Sequence, residues 1–312
     1  MSQIERSQFE WVGANATEAE KISRPNTNYW KDAMHRLSKN KPAMVCLFVI
    51  IFIALLSIFV PMLSPYTISE QHLTHADQPM FFSDPADGHM HLFGTDSLGR
   101  DIFTRTWSGG RVSLFIAFAA VFINFIIGII YGGISGYIGG AVDNIMMRFI
   151  EIINGIPYLI IVVLLMMVLP PGAWTMVIAY AFVGWTGMAR LVRGQIMSLK
   201  QQDYVIAAKV MGARPARIIG KHLLPNTLSI VIVDLTLAIP AAIFTEAFLS
   251  YIGLGVPVPM ASWGILANDG SRVFQMYPSQ LIIPAICISL TMLSFNLLGD
   301  GLRDALDPKL RR

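Results

Sequence analysis

Charged residues are scarce in this chain of 312 residues, making up 14% of it, whereas soluble proteins carry about 25%. The deficit is local: long blocks lack charge altogether, and the segments between those blocks hold the charges. This distribution excludes an ordinary soluble domain and predicts a polytopic protein in contact with membrane lipid. The net charge of +3 is too small to indicate a nucleic-acid partner.

Cysteine is nearly absent, and both Cys46 and Cys287 fall in apolar stretches. This pattern predicts neither a disulfide framework nor a cysteine metal site. The pattern GxxxxGK[ST] is also missing, so we expect no P-loop ATP site in this chain. The first 42 residues are polar, unlike a cleavable signal peptide, so we expect the first apolar block to remain as an anchor.

Several apolar segments are long enough to cross a bilayer, since a helix needs roughly 20 residues to span a hydrocarbon core ~30 Å thick. Pro170, Pro171 and Gly172 divide the longest of them into two, because proline lacks the N–H that a helix interior requires. The predicted spans are Ala43–Leu63, Val112–Val142, 150–169, 173–189, Leu228–Ile252 and Leu281–Leu298. The predicted fold class is therefore all-α, with six transmembrane helices.

Lys and Arg are distributed asymmetrically between the segments that join the spans. One alternating set of segments holds nineteen of the 23 basic residues, which predicts that this set is cytoplasmic. Both termini belong to that set, in agreement with an even number of spans. The predicted organisation is a cytoplasmic tail over 1–42, a first span over 43–63, an extracytoplasmic loop over 64–111, a five-helix core over 112–299 with a cytoplasmic loop at 190–227, and a cytoplasmic tail over 300–312.

The loop at 190–227 carries the pattern of a helix, a turn and a second helix. Asp203 is suited to cap the first helix, and Gly212 to the left-handed position after it. Pro215 fits the start of the second helix and Pro225 its end. Apolar residues at i, i+3, i+4 and i+7 form one face of the first helix: Tyr204, Ala207, Ala208 and Met211. Nothing in the loop is expected to cover this face, and its small alanines favour a groove on a partner protein over the lipid surface.

Four stretches resemble permease subunits of ATP-binding-cassette importers. The spacing of Ala207-Ala208, Gly212 and His222-Leu-Leu-Pro225 is similar to the EAA loop of that family, although Ile206 stands where a glutamate is usual. Three other stretches resemble the dipeptide/oligopeptide/nickel group: His91–Asp101 with Gly110–Leu114, Glu246–Gly255 with Ser262–Gly264, and Asn296–Pro308. The N-terminal tail and first span resemble the C-type, or second, permease subunit of that group.

The resemblance implies a type I importer fold in a prokaryotic cell membrane that moves peptides by alternating access, with nickel or metal chelates as the alternative cargo. It implies as partners a second homologous permease subunit, two cytoplasmic ATPase subunits and an extracytoplasmic solute-binding protein. ATP and Mg would be bound by the ATPases, so this chain is expected to bind no cofactor and to catalyse no reaction. The residues implied in coupling to the ATPases are Tyr204, Ala207, Ala208, Met211, Gly212, Pro215 and Pro225.

Glycine recurs at every fourth residue of the second predicted span, at Gly128, Gly132, Gly136 and Gly140. This small-xxx-small pattern is typical of helices that pack closely. We favour packing inside this chain over packing against a second subunit.

Two carboxylates, Asp234 and Glu246, fall within the fifth predicted span. A carboxylate in a bilayer is expected to face a cavity or a partner, because lipid is a costly environment for a charge. A place in a pore or gate and a structural hydrogen bond are equally compatible with the sequence. A proton-coupled transporter would need titratable residues in the other spans, and an intramembrane hydrolase would need a base there; the sequence offers neither.

Four histidines gather in the outer loop, at His72, His75, His89 and His91. Histidine is a common metal ligand, but solvated loop histidines are the more frequent explanation of such a group. We therefore predict no metal site.

Overall fold

The computed structural model describes residues 29–84 and 88–307. Residues 1–28 and 308–312, which belong to the two predicted tails, lie outside the described residues. Within the described ranges the chain consists of helices and one antiparallel pair of two-residue strands. The predicted all-α class is therefore confirmed.

The main elements are α1 (Tyr29–Lys39), α2 (Lys41–Leu63), β1 (Phe82–Ser83), β2 (Met90–His91), α3 (Ile102–Ile138), α4 (Gly140–Gly155), α5 (Tyr158–Val168), α6 (Ala173–Leu199), α7 (Asp203–Val210), α8 (Leu224–Tyr251), α9 (Trp263–Arg272) and α10 (Ser279–Leu306). A 3-10 turn over Leu73–His75 lies between α2 and β1. A helical turn over Pro215–Arg217 and a π-helical turn over Ile218–Leu223 lead directly into α8.

Within residues 29–84 and 88–307, five helical segments are long and apolar enough to cross a membrane: α2, α3, α6, Pro215–Tyr251 and α10. A sixth crossing exists if α4 and α5 count as one span, but these two helices are bent by 81° at a short break. The uninterrupted helix predicted over 150–169 is therefore wrong. Ile156 precedes Pro157 and is extended, with φ −91° and ψ 127°, because the proline ring disfavours the helical conformation of the residue before it.

The long helix α3 begins at Ile102, not at Val112 as predicted. The side chain of Asp101 accepts a hydrogen bond from the backbone N–H of Thr104 and so caps this helix. Residues 102–111 are thus part of a helix and do not belong to the predicted outer loop.

The other end of α3 is set by two glycines in left-handed conformations, Gly139 with φ +71° and Gly140 with φ +58°. Gly140 therefore starts α4 and does not continue the glycine ladder, which corrects the prediction. The remaining three glycines allow α3 to lie directly against α6 of the same chain. A methyl group would clash at each of them: at Gly128 with Met188, at Gly132 with Ala189 and at Gly136 with Arg193.

Several helices run past the apolar segments from which they were predicted. Pro225 does not end a helix as predicted; it lies in the first turn of α8, where its missing N–H costs little. The π-helical turn before it keeps the chain helical from Pro215 onward. At its C-terminal end α10 continues to Leu306, beyond the end predicted at Leu298. The additional residues are more polar but are still helical.

Residues 64–84 and 88–101, which we call the cap, fold over the end of the helices where α2 stops and α3 begins. We call this the cap end, and the opposite end, where α7 lies, the hairpin end. Inside the cap the Nδ1 atom of His91 lies 2.9 Å from Oδ1 of Asp101, and both side chains are buried. Arg100 donates from Nε to Asp96 over 2.7 Å. The cap is thus held by buried polar pairs more than by regular strands.

Candidate functional site

Residues 203–223, which we call the hairpin, contain six of the seven residues implied in coupling to the ATPases, all except Pro225. Gly212 has φ +80°, the left-handed conformation predicted for it. Its N–H donates to the carbonyl of Lys209 over 2.9 Å, and the N–H of Ala213 donates to that of Ala208 over 3.0 Å. These two bonds form a Schellman motif, which ends α7 and reverses the chain.

The start of each hairpin helix follows from its first residues. Gln202 occupies the capping position of α7 without a side-chain cap bond, and Asp203 is the first helical residue. The predicted capping role of Asp203 is therefore wrong, although an acid in the first turn still favours the helix through its dipole. Pro215 begins the second helical segment, as predicted.

One face of α7 is covered by the hairpin itself. Val205 and Ala208, three residues apart, are 0% and 4% exposed. Val205 belongs to a core cluster with Ile218 and Leu223. The expectation that the loop has nothing to bury against is therefore wrong, and Ala208 points into its own chain. The helical spacing i, i+3, i+4, i+7 did not predict the burial of this face, because it leaves out Val205.

The opposite face of α7 is apolar and open. Val210 and Met211, at the tip, are 83% and 80% exposed. Tyr204, Ile206 and Ala207 are exposed as well. Contiguous exposed apolar residues of this kind mark an interaction surface.

Basic side chains lie on the same hairpin as this apolar tip. Lys209, Arg214, Arg217 and Lys221 are all exposed. An apolar centre with a positive rim is complementary to a groove with an acidic rim, and such charges steer association. The hairpin therefore has the chemistry of a docking element.

A buried ionic cluster anchors the helices directly next to the hairpin. Asp143 of α4 accepts two hydrogen bonds from Arg193 of α6, each 2.5 Å long, and one from Ser135 of α3. Lys200, at the end of α6, donates to the carbonyl of Gly136 over 2.8 Å. Sequence reasoning missed this cluster because Asp143 and Arg193 lie far apart in the chain and share no local pattern.

Glu246 lies inside the chain near the cap end and is 2% exposed. Its Oε1 accepts a hydrogen bond of 2.7 Å from Ser250. The hydroxyls of Ser113 and Ser262 lie beside the same carboxyl group. Its Oε2 has no hydrogen-bond partner among the described residues. Of the two roles that the sequence leaves open for Glu246, this geometry favours the structural hydrogen bond.

Asp234 is placed differently, although it lies on the same helix. It is partly exposed, and twelve residues of helix separate it from Glu246 by ~18 Å. The structure therefore does not bring the two carboxylates together.

Three histidines of the cap, His72, His75 and His91, each lie against a carboxylate. The distances are 3.2 Å for His72 and Glu70, and 2.9 Å for His75 and Asp84. Across residues 29–84 and 88–307, no group of three or more His, Cys, Asp or Glu side chains could hold a metal ion.

Comparison with known proteins places the chain in a family. Residues 125–312 match the family described as binding-protein-dependent transport system inner membrane component. Residues 28–83 match the N-terminal TM domain of oligopeptide transport permease C.

Curated relatives extend this match to the whole chain. The chain is 51% identical over 312 residues to the oligopeptide transport system permease protein OppC of Bacillus subtilis, covering 100% of both chains. It is also 51% identical to the dipeptide permease DppC of Bacillus subtilis, covering 97% of this chain and 94% of that protein. Identity to OppC of Escherichia coli is 41%, covering 94% and 95%.

Among solved structures, an inward-facing MetNI methionine ABC transporter is similar with a TM-score of 0.49 and 17% identity, covering 64% of this chain and 94% of that chain. The family assignment rests on the family matches and the curated relatives, and not on this structural similarity. The chain belongs to the binding-protein-dependent transport system inner membrane components, and within them to the permease C group of peptide transport systems.

Proposed function

We propose that this chain is the C-type permease subunit of an ATP-binding-cassette importer that moves peptides across the cytoplasmic membrane of a prokaryote. The observation that carries the proposal is the 51% identity to the Bacillus subtilis oligopeptide permease over the full length of both chains. The relatives compared above are named for oligopeptides or dipeptides, which favours peptides over metal chelates as cargo.

In this proposal the hairpin end lies in the cytoplasm, where the exposed tip at Val210 and Met211 docks on one of two ATPase subunits. ATP and Mg are bound by those subunits, and this chain catalyses no reaction. A second permease subunit completes the path, and a solute-binding protein delivers peptide at the cap end. The Asp143–Arg193 pair supports a mechanical role, because it makes α4 and α6 move with the hairpin when the ATPases close.

The orientation is tested by cysteine labelling. A Met211→Cys variant, in a background with Cys46→Ala and Cys287→Ala, is treated with a membrane-impermeant maleimide. Expressed without the ATPase subunits, which would otherwise cover Met211, this variant should not be labelled in intact cells and should be labelled strongly after permeabilisation. Labelling in intact cells would place the hairpin outside and overturn the proposal.

The activity is tested by co-purification and reconstitution. We expect two ATPase subunits and a second permease to copurify with this chain in mild detergent, as identified by mass spectrometry. Proteoliposomes of that complex, given ATP and the solute-binding protein, should accumulate labelled peptide. Accumulation of nickel chelate without peptide, or uptake without ATP, would contradict the proposed function.

A further inference from the structure

A cavity of about 220 Å³ lies between the end of α2 and the cap. Six of its nine lining residues are apolar: Val60, Leu63, Pro65, Met90, Leu92 and Phe103. An apolar cavity of ~150 Å³ in another protein accommodates a benzene molecule. The cavity under the cap therefore has room for several methylene groups.

The cap turns apolar side chains toward this cavity around β2, where successive side chains point to opposite sides. His91 is 1% exposed and lies inside the cap, whereas its neighbours Met90 and Leu92 line the cavity and are 52% and 37% exposed. Across the cavity, Leu63 at the end of α2 is 80% exposed. Contact with water is unfavourable for such a rim, so we expect an apolar ligand.

The polar floor of the cavity has its hydrogen bonds made within the protein. Oδ1 of Asp101 lies 2.9 Å from Nδ1 of His91, and Oδ2 accepts from the N–H and the hydroxyl of Thr104 over 2.7 and 2.6 Å. The Ser64 hydroxyl oxygen accepts from the N–H of Tyr66 over 3.2 Å. The described residues that line the cavity include no Lys or Arg. The cavity therefore offers no cation to a phosphate group and suits a hydrocarbon chain better than a lipid headgroup.

The cavity lies at the height where the hydrocarbon core of a bilayer ends. The 23 residues of α2 form a helix ~35 Å long, slightly longer than the ~30 Å of a hydrocarbon core. Leu63 is the last residue of this helix and so lies near the boundary with the headgroups. The upper methylene groups of a phospholipid acyl chain lie at the same height.

The outward face of α2 has the composition of a lipid-facing surface. Only 22% of the most apolar stretch of this helix is buried. Three of its four buried residues are small: Ala43, Cys46 and Ser57. Contacts between membrane helices favour small residues, which let the backbones approach, yet the outward face presents large ones such as Phe52 and Phe59. This face therefore favours lipid over a second subunit, and Leu63 lies one turn beyond Phe59 on it.

We propose that the cavity binds the upper part of a phospholipid acyl chain from the leaflet at the cap end. The chain lies along Phe59 and Leu63 and passes beneath Met90 and Leu92, so that it attaches the cap to α2. The inference goes beyond the proposed function, because it requires only that α2 spans the membrane and does not depend on cargo or ATPase partners.

Photocrosslinking in nanodiscs tests this site in the whole copurified complex. The probe is a phosphatidylcholine with a diazirine on one acyl chain, placed near the ester in one preparation and near the methyl end in the other. Adducts are located by proteolysis and mass spectrometry. We expect the ester-proximal probe to label Leu63, Met90 and Leu92, and the methyl-end probe to label Phe52 in the middle of α2. Labelling of Phe52 is the internal control for contact with bulk lipid.

Leu92→Trp fills the cavity, and Leu73→Trp is the matched control, because Leu73 is a cap residue that is 69% exposed and does not line the cavity. We expect Leu92→Trp to reduce adducts at Leu63 and Met90 at least several-fold without changing those at Phe52, and Leu73→Trp to change neither. If Leu92→Trp fails to assemble, Met90→Asp replaces it, since a carboxylate in the wall should also repel the chain and reduce adducts at Leu63 and Leu92.

Two results would overturn the inference. The first is an unmodified complex with adducts at Phe52 but none in the cap, which would mean that water or another protein occupies the cavity. The second is adducts at Met90 that persist in Leu92→Trp, because lipid would then touch the outside of the cap and not enter the cavity.

Discussion

Arg193 holds Asp143 through two hydrogen bonds, with Nε 2.5 Å from Oδ1 and Nη2 2.5 Å from Oδ2. The Asp143 side chain is 7% exposed and that of Arg193 29%. The pair joins α6, the helix that leads into the hairpin, to α4 on the far side of the left-handed glycine turn. It therefore fixes the position from which the hairpin projects.

Replacing Arg193 by Met is expected to destabilise this end of the bundle. The substitution keeps most of the side-chain volume but leaves Asp143 with a single side-chain donor, Ser135. Loss of a charged hydrogen-bond partner from a largely buried group costs about 1–3 kcal/mol. We expect the midpoint of thermal denaturation in detergent to fall by several degrees.

Arg148→Met is the matched control. Arg148 also forms an ion pair, 2.7 Å from Glu151, but the two side chains are 80% and 58% exposed. Exposed pairs contribute about 0–1 kcal/mol, so the midpoint should hardly move. Equal effects of the two substitutions would show that burial of the Asp143 pair contributes nothing.

The contact between α3 and α6 should be sensitive to a single methyl group. A Cβ at Gly132 would meet backbone atoms of Ala189 and Arg193, which cannot rotate away. We expect Gly132→Ala to lower both the yield of folded protein and its thermal midpoint. Gly155→Ala, where an added Cβ meets nothing within 4 Å, should be tolerated. A stable Gly132→Ala variant would mean that the helices are farther apart than described.

Local signals in the sequence were sufficient for much of the fold. The first span was predicted over 43–63 and is found over Lys41–Leu63, because an uncharged block of that length has few alternatives. The turn at Gly212 was also recovered, since left-handed backbone after a helix favours glycine. Pro157 also indicates the kink in the sequence. The long apolar run around it nevertheless led to the prediction of one continuous helix over 150–169.

Pairings between distant residues could not be predicted in this way. Asp143 and Arg193, or His91 and Asp101, meet only because the helices and the cap fold together. The burial of Ala208 likewise depends on the hairpin folding back on its first helix. For the candidate site, the sequence therefore located the segment but not which of its residues face outward.

The left-handed turn of the hairpin gives a third prediction. Proline fixes φ near −65°, which is incompatible with φ +80° at Gly212. We expect Gly212→Pro to insert normally into the membrane but to lose both ATPase association and peptide uptake. Gly212→Asn should retain much of both, because asparagine tolerates this conformation better than other residues. Normal uptake by Gly212→Pro would count heavily against a coupling role for the hairpin.

The exposed tip of the hairpin gives a fourth prediction. Val210 is 83% exposed, so Val210→Asp should leave the thermal midpoint within about a degree, since surface substitutions usually change stability by less than ~0.5 kcal/mol. If the tip docks in an apolar groove, the same substitution should reduce co-purification of the ATPases strongly. Val205→Asp, on the buried face of the same helix, should instead destabilise the fold. If the Val210→Asp variant retained the ATPases fully, the docking surface would have to lie elsewhere on the chain.

The serine cluster around Glu246 gives the last prediction. Ser113, beside this carboxyl group, also accepts a hydrogen bond from the N–H of Trp263 over 3.2 Å, so the cluster ties α8 and α3 to the start of α9. In Glu246→Gln the amide oxygen can still accept from Ser250, while the amide nitrogen replaces the oxygen that lacks a partner. We expect this variant to assemble with its ATPases and to transport peptide at a changed rate, as measured by co-purification and uptake. Glu246→Leu leaves the Ser250 hydroxyl without its acceptor and should lower the thermal midpoint as well. If Glu246→Gln already releases the whole complex, then Glu246 is required for folding and has no separate part in transport.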